Sequence, residues 1–356
     1  MKFSLYVTLF AVLMLTGCDR SVDNDIVADI ATCELYHSIS YPGVWQFRMH
    51  EFSGKDVPSH VQFVDGNLGF VSGNNTDYNQ AYAWKTADGG LTWEAYSTSF
   101  HEEATSFWFH NEGIAYVGVA QQPGGMSRMA RTGDGGLNWM VQEYESLSGN
   151  FIDLYFKNEE QGYALLQAND STEKISLLMT VNGGQSWDEV FEDGSLLLDN
   201  TRLNMSFTQD FIYLAGAGGN IYMLDHQGEM VSIIQGPETD VQQFQIIDDG
   251  VLYVVGQNGL WLSEDAGITW QQILVGDIRI GAFFDDQAGL IVHNHNYCES
   301  NVYHAHDALT ATTDGGDSWI GGTLTSNLLI DHTYSQKITN NLSVHLFKNR
   351  LVFCER

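Results

Sequence analysis

Thr86-Ala-Asp-Gly-Gly-Leu-Thr-Trp93 is written five times along this chain with small changes. The other copies are Thr132-Gly-Asp-Gly-Gly-Leu-Asn-Trp139, Thr180-Val-Asn-Gly-Gly-Gln-Ser-Trp187, Ser263-Glu-Asp-Ala-Gly-Ile-Thr-Trp270 and Thr312-Thr-Asp-Gly-Gly-Asp-Ser-Trp319. The shared pattern is [Ser/Thr]-x-[Asp/Asn]-x-Gly-x-x-Trp. Its third positions, 88, 134, 182, 265 and 314, are separated by 46, 48, 83 and 49 residues. The long interval is about two repeats, so a worn copy is expected between 182 and 265. Tyr222-Met-Leu-Asp-His-Gln-Gly-Glu-Met-Val231 fits, with Asp225 in place, Gly228 one residue late and no Trp.

A repeat of ~40–50 residues suits four short strands, one propeller blade. The intervening runs agree, because they are alternating or apolar stretches broken by Gly and Asn. Gly69-Phe-Val-Ser-Gly73, Gly113-Ile-Ala-Tyr-Val-Gly118 and Val251-Leu-Tyr-Val-Val-Gly256 are examples. Each box position has a mechanical role. The carboxylate or amide accepts from turn N–H groups, Gly permits a positive φ, the hydroxyl closes the network, and Trp buries a large face. Asp88, Trp93, Asp134, Trp139, Asn182, Trp187, Asp265, Trp270, Asp314 and Trp319 are therefore read as structural residues rather than catalytic ones.

The boxes resemble those of the BNR, or Asp-box, propellers, and the rhythm is most similar to the photosystem II assembly and stability factors among them. The resemblance covers roughly residues 40–356. It implies an all-β, single propeller of four-stranded antiparallel blades. Six units carry a box or its relic. The runs Val44–Phe52 and Leu342–Phe353 are expected to complete a seventh blade from both chain ends, with six blades and outward-packed termini as the alternative.

Residues 1–17 read as a lipoprotein signal peptide: Lys2, then an apolar run too short to span a membrane comfortably, ending Leu15-Thr-Gly-Cys18. Cys18 is the expected lipidation site, and residues 18–39 a polar tether. This places the chain in a bacterial cell envelope, facing the periplasm. Asp19 resembles an inner-membrane retention signal, while inner and outer membrane both stay open. Such a compartment permits disulfides, and Cys33 and Cys354 are a candidate pair if the termini share a sheet.

There are 15 basic and 45 acidic residues, a formal net charge of −30. That excludes nucleic acid as a natural partner and favours cations or a basic protein. A monomer is expected. Sialidase chemistry needs an Arg cluster for a substrate carboxylate, and the chain has eight Arg and no Arg-Ile-Pro motif. A glycosidase needs two carboxylates at a set separation, and sequence selects no pair.

The resemblance implies a non-catalytic scaffold that binds a protein, with a glycan-binding or glycan-hydrolysing propeller as the alternative. A further alternative is a metal-dependent role. His293, His295, Cys298, His304 and His306 lie within 14 residues, and imidazole and thiolate suit Zn²⁺ or Cu²⁺. A hairpin pairing 293 with 306 and 295 with 304 puts the four imidazoles on one face and Cys298 in the turn. Each box lies between third and fourth strands and this segment between second and third, so the two belong to opposite rims.

Overall fold

A computed structural model describes residues 39–40, 46–52, 56–75, 80–96, 102–121, 125–170, 174–192, 205–215, 217–239, 241–247, 250–276, 278–299, 302–323, 332–339, 342–347 and 350–355. The apolar runs between turn residues are strands, and consecutive strands pair antiparallel into separate sheets. Six sheets are four-stranded blades, each a continuous stretch of chain: 56–96, 104–144, 149–192, 205–235, 241–275 and 278–323. Within each blade the spatial order follows the sequence order.

The seven-bladed expectation is corrected: the four-stranded blades number six. The chain ends neither repeat that blade nor pack separately on the outside. They form a five-stranded sheet in the order 39–40, 46–51, 350–355, 342–347, 332–339. Its middle junction joins Gln46–Glu51 to Arg350–Glu355, strands from opposite ends of the chain. No box turn can link such strands, so the box count stops at six. The strand His332–Thr339 contacts the first strands of the first and last blades, which seats this sheet between them. Phe353 meets Phe63 edge-on, with ring centroids 5.8 Å apart, within a core that also holds Val61, Val344 and Leu351.

Neighbouring blades are joined by aromatic pairs. At three junctions a residue near the start of a second strand lies over the last residue of the next blade's first strand. Phe70 stacks on Phe109 at 4.2 Å, Tyr116 on Phe156 at 3.8 Å and Tyr253 on Phe283 at 3.4 Å. Each such pair contributes ~0.5–1.5 kcal/mol beyond its burial. Two pairs of first strands are also tied by side-chain amides, Gln62 buried and Gln245 half-buried. Gln62 donates to the Phe109 carbonyl and accepts from the Phe109 N–H, both at 2.8 Å. Gln245 does the same for Phe283 at 2.7 and 2.8 Å. An amide left unpaired there would be costly, so these two residues hold neighbouring first strands in register at two junctions.

The worn copy is real as a unit. Residues 205–235 form the fourth blade, with Asp225 closing its third strand. Asp225 accepts from the N–H groups of Gln227 and Glu229, both at 2.9 Å, and Gly228 has φ 87°. The Cβ position of Gly228 lies 2.5 Å from Val190 of the preceding blade. The blade has therefore lost the Trp and kept the close approach.

Candidate functional site: two rims

Each box is the turn between third and fourth strands. In the first, the Thr86 hydroxyl donates to Asp88 Oδ1 at 2.8 Å and accepts from the Gly90 N–H at 2.8 Å. Thr92 donates its N–H to Asp88 Oδ1 at 2.9 Å and its hydroxyl to Oδ2 at 2.6 Å. Asp134, Asp265 and Asp314 repeat these contacts. The third box carries an amide, and one bond reverses: Asn182 Nδ2 donates to Ser186 Oγ at 2.9 Å. The leading hydroxyl residue is buried in every box, while the carboxylate stays near the surface.

These bonds favour the charged carboxylate. The Thr92 hydroxyl is the main cause that holds Asp88 down at about 2. Asp134, Asp265 and Asp314 are held below the usual range, chiefly by Asn138, Thr269 and Ser318. A carboxylate with both oxygens engaged and its proton lost serves poorly as an acid or base.

The box is also a joint between blades. Each Trp packs against the blade before its own: Trp139 beside Phe70 and Tyr96, Trp187 beside Tyr116 and Met129, Trp270 beside Ile234. Trp93 packs against the sheet of chain ends, beside Phe52. The box backbone hooks in addition to the turn between first and second strands. Gly89 N–H donates to Asn67 O at 3.0 Å, Gly135 to Gly113 O at 2.9 Å and Gly315 to Gln287 O at 2.7 Å.

Those inner turns carry a second recurring device that the sequence reading missed. Asp65, Asn111, Asn158 and Asp285 each use Oδ1 to accept from the N–H groups two and three residues on. The signal was present: each stands four residues before Gly69, Ala115, Gly162 or Gly289 at the head of a second strand. With no Trp and variable neighbours, it is far less visible than the box.

The opposite rim is uneven. The connection between second and third strands is two residues at 257–258 and a single turn of 3-10 helix at 217–219. In the sixth blade it becomes a projection. The strands Gly289–Glu299 and Val302–Thr312 are eleven residues each. The first strand of that blade pairs only as far as His293, and the fourth only from Ala308. Beyond them, 294–299 pair with 302–307 alone among the described residues. Six residues a side at ~3.3 Å each make a ribbon ~20 Å long.

The ribbon's register differs from the expected one. His295 lies opposite His306, His304 opposite Tyr297 and His293 opposite Ala308. The pairing continues to Glu299 with Val302, so it slides by two from the expected register. Cys298 is a strand position opposite Tyr303. An even slide preserves the face, so positions 293, 295, 304 and 306 still share one. Position 298 belongs to the other face. The side chains at these positions lie outside the described residues, as do Cys18, Cys33 and the Cys354 side chain.

Cations described near this rim are engaged. Arg128 pairs with Glu102 at 2.5 Å and sits 3.6 Å from Glu143, and Lys174 pairs with Glu192.

No family model and no curated protein sequence matches the chain. Solved structures do resemble it. "YCF48 bound to D1 peptide" superposes with a TM-score of 0.65 at 14% identity, covering 90% of this chain and 99% of that one. YCF48 from Cyanidioschyzon merolae gives 0.62 at 15% identity, covering 87% and 98%. A GH74 xyloglucanase from Xanthomonas campestris gives 0.57 at 13% identity, covering 85% of this chain and 52% of the enzyme. At these identities the likeness is one of fold.

Proposed function

We propose that the chain is an exported, lipid-anchored propeller that binds an extended segment of a protein partner and catalyses no reaction. The observation that carries this reading is the ribbon. Its two strands stand clear of the blade, and their outer edges pair with nothing else among the described residues. Such edges offer main-chain donors and acceptors to an added strand. The fold it shares with a propeller bound to a peptide is consistent with that use.

The carboxylates support the non-catalytic part. Six described ones have a displaced pKa: Asp65, Asp88, Glu112, Asp134, Asp265 and Asp314. All six are displaced downward, the wrong direction for the proton donor of a glycosidase. With a net charge of −30 and its described rim cations paired, the surface favours a basic or neutral segment.

A tiled array of peptides from bacterial envelope proteins tests this, probed with the intact chain and with one whose residues 294–307 are replaced by Asn-Gly. Peptides bound by the first and not the second are expected. Hydrolysis of xyloglucan or a sialoside by the intact chain would overturn the reading. Anchoring through Cys18, at the periplasmic face of a bacterial membrane, is tested by metabolic labelling with an alkyne fatty acid. The label is expected in the parent and lost in Cys18→Ser; a labelled variant refutes it.

A further inference from the structure

We infer that the ribbon of the sixth blade binds one first-row transition-metal ion, Zn²⁺ or Cu²⁺, through His295 and His306, completed by His293 and His304. The argument starts from register. His295 and His306 are directly opposed, and Cβ atoms of such a pair lie ~4.5–5.5 Å apart. Two imidazole nitrogens, each ~2.0–2.1 Å from a shared ion, are within reach of that separation. His293 lies two residues before His295 on its strand, and His304 two before His306 on the other. Residues two apart on a strand share a face, so the opposed pair has a further His position beside it on each strand.

Register also fixes the donor set. The face of His295 carries His293, Tyr297 and Glu299 on one strand and Val302, His304, His306 and Ala308 on the other. Cys298 takes the opposite face, with Asn294, Asn296, Tyr303, Ala305 and Asp307. A set of imidazoles without thiolate suits Zn²⁺, Cu²⁺ or Ni²⁺ and does not suit Ca²⁺ or Mg²⁺. The chain's charge of −30 raises the local concentration of any cation. Nothing in the proposed peptide binding uses these imidazoles, so the metal site stands or falls apart from it.

The experiment uses the full chain, purified in detergent without a histidine tag and stripped with EDTA. Zn²⁺ sulfate and Cu²⁺ sulfate are titrated in competition with a chromogenic chelator. One ion per chain is expected. His295→Ala with His306→Ala is expected to weaken binding at least about 100-fold, roughly tenfold for each lost ligand. Cys298→Ser leaves it unchanged. The ribbon projects beyond the four-stranded sheet, so the metal-free double variant is expected to melt with the parent. Should it melt lower, the copper-loaded parent decides: its electron paramagnetic resonance spectrum shows splitting from several nitrogens if the inference holds. Metal binding that survives the double substitution, binding lost with Cys298→Ser alone, no stoichiometric ion, or a copper spectrum without nitrogen splitting each overturns it.

Discussion

At the box rim, the hydroxyl of Thr86, Thr132, Ser263 or Thr312 meets its Asp Oδ1 at 2.8 to 2.9 Å in every case. At the other rim, the connection between second and third strands runs from two residues at 257–258 to a hairpin of two eleven-residue strands. The difference follows from packing. A box turn is held on three sides: by its own hydroxyl network, by the inner turn of its blade, and by the blade before it. A change at one position disturbs all three. The opposite connections share no such recurring network: Asn258 bonds Glu238 and Gln272, whereas 294–307 pair only with themselves among the described residues, and the connections differ in length and composition. Variation of this kind is where binding specificity accumulates.

The hardest way to break that comparison is Gly90→Ala. Gly90 has φ +82°, and a Cβ there would lie 2.3 Å from the buried Phe353 ring. Backbone strain and overpacking together are expected to cost more than about 3 kcal/mol, read as a fall in the urea midpoint. An unchanged midpoint would show that the box does not lock the sheet of chain ends to the first blade. Asp134→Ala comes next. It removes the acceptor for Thr132 and for both Asn138 donors, so a smaller fall in the same assay is expected. Asp225→Ala, in the worn copy, removes two backbone partners and is expected to cost less, about 1 kcal/mol.

Acid separates the boxes by chemistry. Hydrogen bonding lowers the folded pKa of Asp88, Asp134, Asp265 and Asp314. Their contribution is therefore fully present above the unfolded carboxylate value of ~3.9 and is lost as pH falls through the folded values. Urea midpoints are expected to hold from pH 7 to about 5 and to fall between about 4 and 2. Asn182 does not titrate, so Asn182→Asp should steepen the fall. A flat profile there would detach the boxes from acid stability. The smallest stability effect is expected at the other rim: replacing residues 294–307 with Asn-Gly should move the midpoint by no more than ~0.5 kcal/mol. A loss as large as that of Gly90→Ala would erase the contrast between the rims.

The boxes were legible because the side-chain network that shapes each turn closes within eight residues. Thr86, Asp88, Gly90 and Thr92 settle the turn among themselves, and the period between copies counts the boxed units, worn one included, but not whether the chain ends add another blade. The Asx turns at Asp65, Asn111, Asn158 and Asp285 are equally local, yet two-letter signals vanish among 45 acidic residues and many Asn. The sheet of chain ends was read in part. Its strands at 46–51, 342–347 and 350–355 were visible as alternating or apolar runs. The strand 332–339, His-Thr-Tyr-Ser-Gln-Lys-Ile-Thr, has no such pattern and was missed. The ribbon was seen as a hairpin of co-facial His positions, and its register was not, since a slide of two residues leaves the alternation unchanged.

The sequence by itself thus determined the repeat, the box turns, the six boxed units and the rim on which the histidine segment lies, while the seventh blade it led one to expect from the chain ends is not formed. These follow from hydrogen bonds and periodicities that close over a few residues. Only the tertiary structure decided how the two ends of the chain join, which glycine abuts which neighbouring blade, and that His295 faces His306 while Cys298 takes the other face. Those depend on pairings between segments far apart in the chain, or on a register that local alternation leaves degenerate.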